Sequence, residues 1–138
     1  MSNLNNKPCP CGSELSYKAC CRPLHIKKNK AITAEVLMRS RFSAYFLAKQ
    51  KPELSGYILS TWCQHTRPAQ MDLSDQPDWI RLEIHATHQG LEQDQQGWLE
   101  FTAYYRQGLL GPELAHREKS RFNKNTKGQW CYQDGVEP

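Results

Sequence analysis

The chain has 138 residues, of which 38% are hydrophobic, and a formal net charge of +4. That is enough apolar material for one compact core, and no stretch approaches the roughly 18 continuous apolar residues of a membrane-spanning helix, so a soluble chain is expected. The positive excess is concentrated near the N-terminus, where Lys7, Lys18, Arg22, Lys27, Lys28 and Lys30 face Glu14 alone. A segment of that composition suits an acidic protein surface, RNA or anionic lipid, or it simply solvates a linker.

The first informative element is C-P-C-G-S-E-L-S-Y-K-A-C-C at residues 9–21, which holds four of the six cysteines. Met1 to Lys7 is polar, with no apolar run of about 7 to 15 residues after a charged start, so no signal peptide is expected and a cytoplasmic location follows. In a reducing compartment, clustered cysteines are read as metal ligands before disulfides. Cys9, Cys11, Cys20 and Cys21 are the expected ligands of a structural zinc ion, a closed tetrahedral shell with Zn–S distances of about 2.3 Å and no open position. A variant set replaces Cys21 by His25. Gly12 and Ser13 allow the tight bend after the first pair. A helical turn over Glu14 to Ala19 then delivers the second pair, with Arg22-Pro23 as its stop. Adjacent residues on a helix diverge by about 100°, so Cys20 and Cys21 reach one ion only where the helix breaks.

Thr33 is a suitable N-cap for a helix running to about Gln50, with Ala34, Leu37, Met38, Phe42, Tyr45 and Ala48 on one stripe. Arg41 lies in the middle of that stripe, whereas Arg39 falls on the opposite, solvent side. A second helix is expected over Glu53 to Thr61, and a loop from about His65 to Asp78. Strands follow. Trp79 to His88 is read with Ile80, Leu82, Ile84 and Ala86 inward, and a second strand lies between Gly97 and Gly108, with Leu99, Phe101, Ala103 and Tyr105 opposing Trp98, Glu100, Thr102, Tyr104 and Arg106. Glu113 to Lys124 and Gln129 to Asp134 form the last pair, turned at Asn125 to Gly128. In the third strand Arg117, Lys119 and Arg121 claim the solvent face, opposite Leu114, His116, Glu118, Ser120 and Phe122, which sends Glu118 and Ser120 inward. Helices followed by an antiparallel sheet indicate an α+β fold. Cys63 and Cys131 are read as small buried hydrophobes.

The spacing C-x-C-x8-C-C resembles the SEC-C motif, named for the zinc tail of the translocase SecA. L-M-R-S-R-F-S-A-Y at residues 37–45, S-T-W at 60–62 and E-K-S-R-F at 118–122 resemble the YchJ-like family of small bacterial proteins. Cys63 stands where that family commonly has His, and the second SEC-C motif of many relatives is not found. The resemblance implies two units, a SEC-C zinc module over residues 1–28 and a cone-shaped nuclear-transport-factor-2-like domain over 29–138. It makes Arg41 and Glu118 a buried ion pair inside the cone and makes Arg41, Tyr45, Cys63, Tyr104, His116, Glu118 and Ser120 candidates for a pocket.

Three functions remain in competition. An adaptor would use Tyr17, Lys18 and Arg22 on the zinc module to contact an acidic partner such as a chaperone or ribosomal component, by analogy with SecA. An enzyme or small-ligand binder would use the cone, although an Arg beside Glu118 holds a carboxylate ionised and weakly basic. RNA binding would use Tyr17 stacked among lysines, one aromatic where such platforms usually have several. No phosphate loop, nucleophile elbow or dinucleotide fingerprint occurs, so no catalytic residue is assigned.

Overall fold

A computed structural model describes residues 4–138. The cysteine segment is a small folded loop. Pro8 and Ser16 form an isolated antiparallel bridge, and Cys9 N–H donates to the Leu15 carbonyl at 2.8 Å. Gly12 turns the chain at φ 82°. The expected helical turn is shorter than predicted, a 3₁₀ turn over Tyr17–Ala19 whose last N–H is capped by the Ser16 hydroxyl at 3.3 Å. Arg22-Pro23 does not stop a helix; it starts one, α1 (Arg22–His25), because proline is preorganised for a first turn and has no N–H to strand there. Cys20, at φ −126° and ψ −96°, is the break between the two turns. That break lets neighbouring Cys20 and Cys21 face one centre.

Helix α2 (Ala34–Leu47) begins where expected, with the Thr33 hydroxyl accepting from Val36 N–H at 3.1 Å. The predicted stripe is buried except for half-buried Tyr45, with Ala48 just past the end of the helix, but so are Ser40, Ser43 and Ala44 on the other side. A helix hidden on both faces has two covers, and α2 has the sheet on one side and the cysteine segment with α3 (Leu54–Ser60) on the other. One apolar cluster joins Cys9, Cys11, Tyr17, Cys21 and Leu24 to Ala44, Leu47, Leu54 and Ile58. The cysteine segment therefore shares a core with the helices.

The four strands β1 (Asp78–Gln89), β2 (Gln96–Arg106), β3 (Leu114–Lys124) and β4 (Trp130–Val136) form an antiparallel meander in sequence order. Strand β1 departs from strict alternation. Register shifts at Trp79/Arg81 and Ile84/Ala86 place Trp79, Leu82, Ile84 and Thr87 opposite the inward residues Tyr105, Ala103, Phe101 and Leu99. Ala86 is paired with outward Glu100, and Ile80 is the extra residue of the first bulge, so neither belongs to the inward row as predicted. At the β1–β2 turn, Gly90 (φ 79°) and Gly97 touch backbone to backbone; a Cβ on Gly97 would come 2.5 Å from Gly90 Cα. The Gly90 carbonyl in turn accepts from Ala34 N–H at 2.9 Å, which fixes the start of α2 against the hairpin. After α3 the chain runs along β4, with hydrogen bonds from Cys63 N–H to the Tyr132 carbonyl and from Tyr132 N–H to the Thr61 carbonyl. No helix among the described residues is long and apolar enough to cross a membrane.

Candidate metal centre and cone pocket

The sulfurs of Cys9, Cys11, Cys20 and Cys21 all lie within 4.8 Å of one another. Cys11 Sγ is 3.6 Å from Cys20 Sγ, which is 3.9 Å from Cys21 Sγ. A tetrahedral S4 shell with metal–sulfur bonds of about 2.3 Å has sulfur–sulfur edges of about 3.8 Å, so the donor set already has the dimensions of a four-coordinate ion. Donation from Cys21 and then Cys9 pushes Cys11 well below the usual thiol range, while its thiolate pushes Cys21 up; burial, first, raises Cys20 to about 11. Only a cation at the centre makes four thiolates compatible at neutral pH.

Several side chains hold this cluster. Ser43, fully buried on α2, donates to Cys21 Sγ at 3.3 Å and lies 3.5 Å from Cys9 Sγ. Ser13 donates to Cys20 Sγ at 3.1 Å. Arg39 Nη1 donates to the Cys11 carbonyl at 2.6 Å while its Nε pairs with Glu35 at 3.0 Å. His25 has both ring nitrogens engaged. Tyr17 O–H donates to Nδ1 at 2.7 Å, and Nε2–H donates to the Ser40 carbonyl at 2.8 Å, the tautomer required by the carbonyl. Burial pushes the Tyr17 hydroxyl up to about 12, so it remains a donor.

The second site lies between α2 and the concave face of the sheet, a cavity of about 420 Å³. Arg41, 3% exposed, lies on its wall. Its Nη1 donates to the Ile58 carbonyl at 2.7 Å and the Thr61 hydroxyl at 2.8 Å, and its guanidinium stacks 5.1 Å from the Trp62 ring and 4.7 Å from the Tyr132 ring. Burial lowers its pKa, opposed first by Tyr45 and then by Tyr132, yet a guanidinium keeps its proton in proteins. Across the cavity, Glu118 accepts from Ser120 at 2.5 Å and from Tyr132 O–H at 3.2 Å, and its other oxygen lies 3.1 Å from His116 Nε2.

A family model described as YchJ, middle NTF2-like domain, matches residues 33–135, and a SEC-C motif model matches residues 6–23. The chain belongs to the YchJ-like family. It is 43% identical over 131 residues to a UPF0225 protein of Deinococcus radiodurans, covering 95% of this chain and 90% of the relative. A UPF0225 protein of Streptomyces coelicolor is 41% identical over 128 residues, covering 93% and 94%. The solution structure of a SEC-C motif containing protein from Rhodopseudomonas palustris superposes with a TM-score of 0.79 at 31% identity, covering 96% of this chain and 99% of that one. The crystal structure of a SEC-C motif containing protein from Psychrobacter arcticus gives 0.75 at 28% identity, covering 95% and 82%.

Several residues of this YchJ-like chain stand elsewhere than the sequence reading put them. Tyr17 is 1% exposed and lies in the core, so it is closed to a partner or a base. Lys18 is exposed and Arg22 half-buried. His25 does not join the thiol cluster, its nitrogens being committed to Tyr17 and Ser40. Arg39 is not a solvated bystander; it grips the cysteine loop. Cys63 is disulfide-bonded to Cys131, with Cα atoms 4.9 Å apart, because the β4 bridge at Trp62 and Tyr132 brings them side by side. Cys63 is also absent from the cavity wall. Tyr104 points outward, where Arg81 lies 3.7 Å from its ring, and Tyr105 lines the cavity instead. Arg41, Tyr45, His116, Glu118 and Ser120 do share the cavity wall. Arg41 and Glu118, however, form no ion pair: Tyr132 stands between them, its ring under the guanidinium and its hydroxyl on the carboxylate. Ser13 is expected to offer its N–H to sulfur and gives its hydroxyl to Cys20 instead; sequence reasoning missed the roles of Ser43, Trp62, Tyr105 and Tyr132. The Glu35–Arg39–Ser43 spacing of four was the available signal that a polar line on α2 faces a partner element.

Proposed function

We propose that the four thiolates hold a structural zinc ion and that the surface built on this centre is a docking site for an acidic protein. The closed sulfur shell leaves no position for substrate, so the metal shapes a surface and performs no chemistry. The observation that carries the reading is the composition of what the segment exposes. Lys18, Lys27, Lys28 and Lys30 are all exposed, together with Leu15 at 54% and Ile26 at 52%. Apolar anchors surrounded by cations suit a partner with an acidic rim and an apolar centre. A cytoplasmic setting agrees with the four reduced thiols, while the Cys63–Cys131 disulfide runs against it. Arg22 contributes at the edge, and Tyr17 acts only from within.

Chelation alone is a poor test, because the cysteine segment shares a core with α2 and α3. Charge reversal at Lys18→Glu with Lys27→Glu leaves that core untouched. Proteins captured from native lysate should be lost from this variant, and from Cys20→Ser with Cys21→Ser, while the unfolding midpoint of the charge variant stays put. Capture that persists through charge reversal sinks the docking reading; capture abolished by nuclease makes RNA the partner.

The cone supports a second reading, a small-ligand site, since a cavity of about 420 Å³ with aromatic walls and a few convergent polar groups has the character of a ligand pocket.

A further inference from the structure

The pocket's two polar walls are unequal. On the sheet side, Glu118 is satisfied from three directions by Ser120, Tyr132 and His116. On the helix side, Arg41 spends only Nη1, on a carbonyl and a hydroxyl, and among the described residues no carboxylate lies within ion-pair distance of its guanidinium. Its Nε and Nη2 hydrogens meet no acceptor there. Those nitrogens are not sealed off either. The one fully occluded side-chain polar atom without a partner, among the described residues, is Nε1 of Trp62. Arg41 nitrogens that are unpaired yet not occluded, on a side chain lining the cavity, open into that cavity. The Trp62 ring lies on the same wall, 5.1 Å from the guanidinium, with its own N–H occluded. The helix-side wall thus has donors and positive charge in excess of acceptors.

Burying a guanidinium without a carboxylate is costly, and it persists where surrounding groups hold it and a counter-charge can arrive. Here the Trp62 and Tyr132 faces and the Ile58 carbonyl hold it. We infer that the cone pocket binds a small planar monoanion, an aromatic or otherwise flat apolar carboxylate, with its carboxylate on the free edge of Arg41. The fork of a guanidinium matches a carboxylate through paired N–H donors. The remainder of the ligand meets Phe42, Tyr45, Trp79 and Tyr105. A phosphate dianion fits less well, because the Glu118 carboxylate shares the cavity and repels a second negative charge.

This inference rests on reading the cone as a ligand pocket, and the experiment separates the two. Three indole probes differing in charge, indole-3-acetate, indole-3-acetamide and tryptamine, are titrated into the zinc-loaded protein while the indole N–H signal of Trp62 is followed by NMR. The expected result is saturable movement of that signal, with the carboxylate binding about tenfold or more tightly than its neutral amide, the discrimination of a charge-assisted bidentate contact. Arg41→Lys keeps the charge but loses the planar fork, and it should lower affinity for the carboxylate while leaving the amide unchanged; the comparison of probes on the unmodified protein stands even where that variant fails to fold. Equal affinity for carboxylate and amide overturns the anion site while the pocket stands. Tightest binding of tryptamine overturns it in favour of Glu118 as anchor. No movement with any probe at concentrations on the order of 1 mM removes the ligand pocket itself.

Discussion

The hydroxyl of Ser43 is the most exposed test of the metal centre, because it is far from the ligands in sequence and meets two of them in space. It contributes one proton to sulfur, lying 3.3 Å from Cys21 Sγ and 3.5 Å from Cys9 Sγ, inside a fully buried pocket of α2. Ser43→Ala removes that donor and little volume. Groups that hydrogen-bond metal ligands typically change metal affinity by about 10- to 100-fold when removed. One shared proton on two sulfurs belongs at the lower end, about tenfold or roughly 1.4 kcal/mol. Because the ion binds the folded chain, the same amount should leave the unfolding free energy at saturating zinc and vanish when zinc is stripped. Competition against a chromophoric chelator measures the affinity, and the thiolate-to-metal bands of the cobalt form check that four sulfurs remain. Ser13→Ala, at the more open side of the cluster, should cost only about threefold or less, the loss being screened by water. An affinity for Ser43→Ala within about twofold of the unmodified protein, or an equal loss with and without zinc, would refute the role of this hydroxyl.

The Cys63–Cys131 disulfide closes a sequence separation of 68 residues, for which chain entropy gives about 4 kcal/mol, so the Cys63→Ser/Cys131→Ser double variant should unfold at markedly lower denaturant, with a steeper slope because the unfolded chain without the cross-link exposes more surface; an unchanged midpoint would mean that the β4 bridge alone holds this segment. Gly135 leaves the Glu118 carboxyl no room for a methyl group, so Gly135→Ala should cost about 1–3 kcal/mol and free the Tyr132 hydroxyl, whereas Gly56→Ala on α3, with nothing within 4 Å, should be neutral or slightly stabilising; thermal unfolding of the pair decides it. Burial holds the pKa of His25 below its ordinary value. The unfolded chain then binds the proton first, so the share of stability that depends on His25, read as the difference between the unmodified protein and His25→Gln at saturating zinc, should be level above about pH 6.5 and shift as pH drops below it, separate from the loss that the four cysteines add as the unfolded chain protonates them below about pH 8.5; a difference that stays constant through pH 6.5 would exclude this histidine as a cause.

What could be read from the sequence was what is local. The Thr33 cap, the α2 stripe and the inward run His116, Glu118, Ser120 and Phe122 depend on periods of 3.6 and 2 within one element, and the structure has them. The thiol cluster was equally local, its four ligands lying within residues 9–21. The failures share one cause, a partner element that the chain meets only after folding. Bulges in β1, which no composition marks, shifted Ala86 out of the inward row. Tyr17 has the look of a surface aromatic among lysines until His25 and α2 close over it. Cys63 and Cys131 become neighbours only through a β-bridge across the domain, and the expected Arg41–Glu118 pair is interrupted by Tyr132, from the last strand.

Helix α2 is the element the two sites have in common, and its periodicity separates their duties. Arg39 and Ser43, four apart, reach the cysteine loop, while Arg41 and Tyr45, also four apart, line the cavity. A metal held there would therefore do more than close a loop. With Arg39 on the Cys11 carbonyl, Ser43 on Cys21 and His25 on the Ser40 carbonyl, the thiol centre fixes the rotation and depth of the helix from its outer side. Ser40 makes the connection tighter, since its hydroxyl is 2.6 Å from Tyr57 O–H on α3 and Arg41 beside it is held by Ile58 and Thr61 at the end of the same helix. Loosening the thiol centre would remove supports from one face of α2 while its other face carries the guanidinium of the pocket. A close-packed helix between two layers does not deform on one side alone, so the pocket inherits its geometry from the thiol centre.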